Sequence, residues 1–181
     1  MRPKAPRRIV VDASIARAAG GSEAVHPLPR RCRDFLRTMF DAGHHAVFSR
    51  PVSAEWKKHE SSFARQWRFT MMARKRLALI DPREDVALRE SVDGAAGSEK
   101  ARRAMMKDLH LVEAARATDR TVASLDDTVR ALFSAAATRV RDLRAIVWVN
   151  PGREDEGCEP WLRAGAPPDK HRQLASFDAS D

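Results

Sequence analysis

Five short apolar runs punctuate this chain: Arg8 to Val11, Ala46 to Phe48, Leu77 to Ile80, Thr121 to Leu125 and Ala145 to Val149. Runs of this length with little polar alternation suit strands covered on both faces. The stretches between them have helical spacing. Arg30 to Ala42 repeats through Phe35, Leu36, Met39 and Phe40, Pro51 suits the first turn of a further helix, and Thr128 to Thr138 reads as another. Val86 to Val92 reads as a short helix, with the loop GAAGSEK after it. Strands alternating with helices predict an α/β chain, a three-layer α/β/α sandwich with a parallel central sheet.

One carboxylate interrupts this pattern. In the helical segment KARRAMMKDLHLVEAARATD, the residues Ala101, Ala104, Met105, Leu111, Val112 and Ala115 fall within about 120° of one another at helical pitch, and Asp108 falls inside that sector. An ionised group on an apolar face costs several kcal/mol unless it is paired, hydrogen-bonded or metal-bound. Glu113 projects to the opposite side and reads as a surface charge.

With 181 residues, the chain suits one α/β domain plus extensions. The expected division is a basic N-terminal arm over 1–7, including Arg2, Lys4 and Arg7, a domain over 8–150, and a surface tail over 151–181 with one short helix near Trp161. Lys and Arg number 33 against 25 Asp and Glu, a net charge of +8 that favours a polyanionic partner. Cys32 and Cys158 are the only cysteines and match neither a zinc spacing nor a disulfide framework, as suits a reducing cytoplasm. No secretory apolar region and no run long enough to span a bilayer is visible, so a soluble protein with no membrane partner is expected.

Ligands of open parallel sheets collect beyond the carboxyl ends of the strands. Asp12 and Asp126 each follow a strand directly, and Glu55 and Asp108 sit on helices able to face the same edge. Like charges about 4 Å apart repel by roughly 4 kcal/mol at an effective dielectric of 20, so a converging set calls for a cation. Oxygen ligands without Cys or His at ligand spacing suit Mg²⁺ or Mn²⁺, and phosphodiester hydrolysis is the natural reaction. Each residue also has a plainer role: Asp12 as a turn cap, Glu55 as a surface glutamate, Asp108 as the partner of a buried arginine. Of Asp126 and Asp127, one can cap the following helix. Asp126 is the favoured ligand, with Asp127 secondary. Ser14 either positions Asp12 or bonds to backbone.

Taken in order, Asp12-Ala-Ser14, Ser53-Ala-Glu55, Lys107-Asp108-Leu-His-Leu-Val-Glu-Ala-Ala115 and Ala123-Ser124-Leu-Asp126-Asp127, the chain resembles a PIN domain over about residues 8–150. The resemblance implies a metal-dependent ribonuclease in which Asp12, Glu55, Asp108 and Asp126 are the catalytic residues and bind Mg²⁺ or Mn²⁺, with Ser14 and Ser124 supporting them. Many small bacterial members are VapC-like toxins, which implies a homodimer and an antitoxin protein as partner. This chain is longer than those toxins and carries Ser124 where Thr is frequent. Haloacid-dehalogenase-like phosphatases need a second Asp where Ser14 stands. No glycine-rich phosphate loop follows a strand, which disfavours Rossmann and P-loop readings.

Trp56 to Arg76 reads as an amphipathic helix or a pair of them, with Phe63, Trp67, Thr70 and Met71 on one face. It carries Lys57, Lys58, Arg65, Arg68, Arg74, Lys75 and Arg76 against one acid, Glu60. Lys57, Lys58, Arg65 and Arg68 are the expected contacts to an RNA backbone, the alternative being a solvated face. Trp56, Phe63 and Trp67 are expected in the core or a dimer contact. Two functions follow from different classes: a metal-dependent endoribonuclease, with a toxin as one version of it, or a non-catalytic PIN-like module that binds RNA or protein.

Overall fold

A computed structural model describes residues 5–21 and 26–177. Its strands are β1 (Arg8–Val11), β2 (His45–Phe48), β3 (Leu77–Leu79), β4 (Thr121–Ala123) and β5 (Val147–Val149). They form one sheet in the order β3-β2-β1-β4-β5, every neighbouring pair parallel. Ile9, Val10 and Val11 are fully buried, as expected of a central strand covered on both faces.

The helices are α1 (Ala13–Ala18), α2 (Pro27–Asp41), α3 (Arg50–His59), α4 (Ser62–Ala73), α5 (Val86–Ala95), α6 (Glu99–Arg116), α7 (Asp127–Ala137) and α8 (Cys158–Arg163). From β1 the chain adds strands outward through β2 to β3, then returns to the other flank of β1 for β4 and β5. Right-handed crossovers therefore put α1 to α4 on one face and α5 to α7 on the other. The packing agrees: α1 touches α2, α3 and α4, whereas α6 touches α5 and α7 and lies across β1, β2 and β4.

Local chemistry sets the helix starts. Side chains of Ser49, Ser61, Asp85, Ser98 and Asp126 accept hydrogen bonds from the first turns of α3, α4, α5, α6 and α7. Ser61 divides Trp56 to Arg76 into the end of α3 and a separate α4. The short helix α1, starting directly after Asp12, was not expected. It is six residues long, too short to show a periodic pattern.

The segment after Asn150 is not a surface tail. Trp161, Leu162, Ala166 and Leu174 are buried, α8 packs on α2, and the Leu174 amide donates to the Ile146 carbonyl at 2.9 Å. Gln173 bridges antiparallel to Val147, covering the β5 edge. His44 joins both ends of the chain to β2: its Nδ1 accepts from the Arg7 amide at 3.0 Å, and its Nε2 donates to the Leu162 carbonyl at 2.9 Å. Arg7 and Arg8 are likewise no free arm, because both bond to Asp119. Arg2 and Lys4 lie outside the described residues.

Candidate functional site

The register Val11↔Ala123 brings the carboxyl ends of β1 and β4 side by side, and the Asp12 amide donates to the Ala123 carbonyl at 2.9 Å. Strand order reverses between these two strands, the place where a parallel sheet opens a crevice. Trp56 fixes the end of β1 from below, its indole N–H donating to the Val11 carbonyl at 2.7 Å. Trp56 and Trp67 are buried and stacked on one another, in the core as expected.

Asp12 begins α1 without capping it; its side chain turns to two hydroxyls. Ser14 Oγ and Ser124 Oγ both donate to Asp12 Oδ2, at 2.5 and 2.8 Å. Each hydroxyl accepts in turn from a backbone amide, Ser14 from Leu125 and Ser124 from Asp126, at 3.2 and 3.1 Å. Since an ionised carboxylate can only accept, both hydroxyl hydrogens are directed at Asp12 while a lone pair of each takes an amide. Through these bonds the two serines tie the β1 and β4 loops together, Ser14 bonding to both Asp12 and the backbone. Asp126 caps α7 through Oδ1, which accepts from the Val129 amide at 2.9 Å.

Asp108 faces this pair from α6. Its side chain is 15% exposed, the Lys107 ammonium stands 4.0 Å away, and no hydrogen-bond donor reaches it among the described residues. Burial pushes its carboxyl up to about 6; Lys107 and His110 oppose the rise, while the charges of Asp12 and Asp126 add to it. The apolar face in the sequence foretold the partial burial of Asp108; that no donor reaches it among the described residues comes from the structure. Among the described residues, no arginine pairs with it.

Other expectations need correction. Glu55 on α3 stands against His110, its Oε2 at 3.4 Å from His110 Nε2. Among the described residues, no three Asp, Glu, His or Cys side chains already close around a common point as a bound ion would need. Asp127 is engaged elsewhere: its Oδ2 accepts from Asn150 Nδ2 at 2.8 Å, and the guanidiniums of Arg130 and Arg153 lie at 3.7 and 3.9 Å. Glu113 is no surface charge, since its side chain is 9% exposed and accepts two hydrogen bonds from Arg89.

The basic surface is also smaller than the sequence suggested. Arg68, 16% exposed, gives two hydrogen bonds of 2.8 Å to Glu60, whose side chain is 3% exposed, and Arg65 reaches the same carboxylate. Arg76 stacks on Phe40. Lys57, Lys58, Arg74 and Lys75 remain on the surface.

Two polar residues at this edge escaped the sequence reading. Asn150 follows β5 and binds both Asp127 and the Leu125 carbonyl, a role its place directly after a strand could have flagged. His110 lies two residues beyond Asp108 in the segment that carries the family resemblance, where no ligand spacing marked it. Comparison with models of known families, with curated proteins and with solved structures finds no match.

Proposed function

We propose that the chain is a metal-dependent endoribonuclease of the PIN kind, with its reaction centre at the β1/β4 edge. The observation that carries this reading is Asp108, a donor-less, partly buried carboxylate facing Asp12 and Asp126. Mutual repulsion and desolvation give such a group a direct reason to take up a cation. The donor set is made of hard oxygens, which fits Mg²⁺ or Mn²⁺ with water completing the coordination. Asp12, Asp108 and Asp126 would hold the ion, and Glu55 would join from α3. When bound, a divalent ion polarises the phosphoryl group and lowers the pKa of water.

The protein's own part is orientation. Ser14 and Ser124 fix Asp12 before anything binds, which removes a reorganisation cost at the moment of reaction. Lys57 and Lys58 lie on the helix that carries Glu55, placing positive charge where a nucleic-acid backbone would pass. The toxin version, with a homodimer and an antitoxin partner, follows from the family resemblance. The non-catalytic reading draws on one observation, that among the described residues no three candidate ligands already surround a common point.

Cleavage of single-stranded RNA with Mg²⁺ or Mn²⁺ separates the two. Wild type should cut, and Asp108→Asn should lose at least ~100-fold in rate, since even an indirect support of a metal ligand is worth 10–100-fold. Equal cleavage by both proteins would remove Asp108 from the mechanism. Metal binding without any cleavage would favour the binding module. DNA offered in parallel tests the sugar preference, which phosphate contacts alone do not set.

A further inference from the structure

Next to the aspartates, one enclosed ring nitrogen makes no hydrogen bond among the described residues. His110 Nε2 is buried, makes no hydrogen bond among the described residues, and lies 3.4 Å from Glu55 Oε2. The opposite ring nitrogen, Nδ1, is 3.0 Å from the Lys107 carbonyl oxygen. A carbonyl only accepts, so Nδ1 carries the ring hydrogen. In the neutral ring, Nε2 is then a bare lone pair pointed at a carboxylate that is itself an acceptor. Two such groups in a half-closed space repel unless positive charge lies between them.

We propose that a divalent cation supplies that charge, ligated jointly by His110 Nε2 and the Glu55 carboxylate, and that this nitrogen donor gives the centre a preference for Mn²⁺ over Mg²⁺. The separation suits the role: two ligand atoms each about 2.1 Å from one ion, at roughly 90–110° to each other, are about 3.0–3.4 Å apart. Imidazole binds transition ions readily, whereas Mg²⁺ favours oxygen and keeps its water. The bond from Nδ1 to Lys107 is the kind of outer support that holds a metal-binding imidazole in one tautomer. Glu55 is 34% exposed, so its side of the pair is open to the water that completes a coordination shell. The inference rests on reading this edge as a cation site and adds to it a ligand of different chemistry.

The test uses the full chain, stripped of metal with chelator and titrated with Mn²⁺ alone, with bound Mn²⁺ read by electron paramagnetic resonance. Pulsed measurements should show ¹⁴N coupling from a directly bound imidazole in wild type. His110→Gln should abolish it and weaken Mn²⁺ binding by about 10-fold or more, while Mg²⁺ affinity, read by competition, changes far less. Bound Mn²⁺ without nitrogen coupling in wild type overturns the His110 assignment and leaves the carboxylate site standing. Coupling that persists in folded His110→Gln also overturns the assignment. No Mn²⁺ binding at all overturns both it and the cation site. Should His110→Gln fail to fold, Glu55→Gln replaces it: Mn²⁺ affinity should fall about 10-fold, and unchanged affinity overturns the joint site.

Discussion

Asp108 is where function and stability pull apart. Its carboxyl, at 3.8 in an ordinary setting, is pushed up to about 6 by burial, so between those values the folded chain keeps a proton that the unfolded chain releases. The stability this proton brings is complete below about pH 4 and is lost as pH rises through 6. At neutral pH the ionised group costs about 2 kcal/mol, allowing for the water that still reaches it. Asp108→Asn should therefore raise the metal-free melting temperature at pH 8 by roughly 5 °C and change it little near pH 4, as thermal melts followed by circular dichroism would show. A destabilised variant at pH 8 would mean that the carboxylate has a partner. In wild type, millimolar Mn²⁺ should raise the melting temperature, and Asp108→Asn should blunt that shift. The placement of Asp108 was legible in the sequence because helical periodicity fixes which side chains share a face. Its relation to Glu55 was not, because no periodic rule says how far α3 stands from α6.

Among the elements, the junction of α3 and α4 shows how a polar residue can be misread. Glu60 looked like the lone acid in a basic helix, yet it is the anchor of that junction, buried and held by Arg68 and Arg65. The two arginines hold it below the ordinary carboxylate range, mainly through the hydrogen bonds from Arg68. Arg68→Ala should cost about 2 kcal/mol, toward the low end for breaking an ion pair because water reaches part of it. Urea denaturation measures this, and an unchanged midpoint would show the pair to be incidental. On the proposed ribonuclease reading, RNA contact would fall to the exposed lysines of α3, Lys57 and Lys58. Lys57→Ala with Lys58→Ala should weaken RNA binding and reduce the salt slope by roughly 1.4, about 0.7 per phosphate contact on a single strand. The amphipathic pattern pointed to one helix or two, and only the structure shows the break at Ser61. Which arginines were already committed depended on a turn whose path the sequence does not encode locally.

At the level of the whole molecule, the segment from Pro151 to Phe177 is part of the domain. Its apolar anchors, the adjacent Trp161 and Leu162 and the later Leu174, are set among Pro, Gly and charged residues, so average composition hid what burial makes plain. Removing residues 151–181 would strip α2 of its cover and bare the β5 edge; the truncated chain should lose cooperative unfolding or aggregate. Trp161→Ala alone should cost about 3 kcal/mol, and a truncated protein melting like wild type would contradict both expectations. The strand count and the parallel sheet were readable from five apolar runs. The strand order was not, since pairing between distant segments leaves no periodic trace. That order also bears on synthesis. Asp12 meets the hydroxyl of Ser124 across 112 positions of chain, so a ribosome that has released β1, β2 and β3 holds a half-built centre whose first aspartate lacks its second clasp. The clasp on Asp12 is therefore complete only once β4 has taken its place beside β1, however early β1 itself is made.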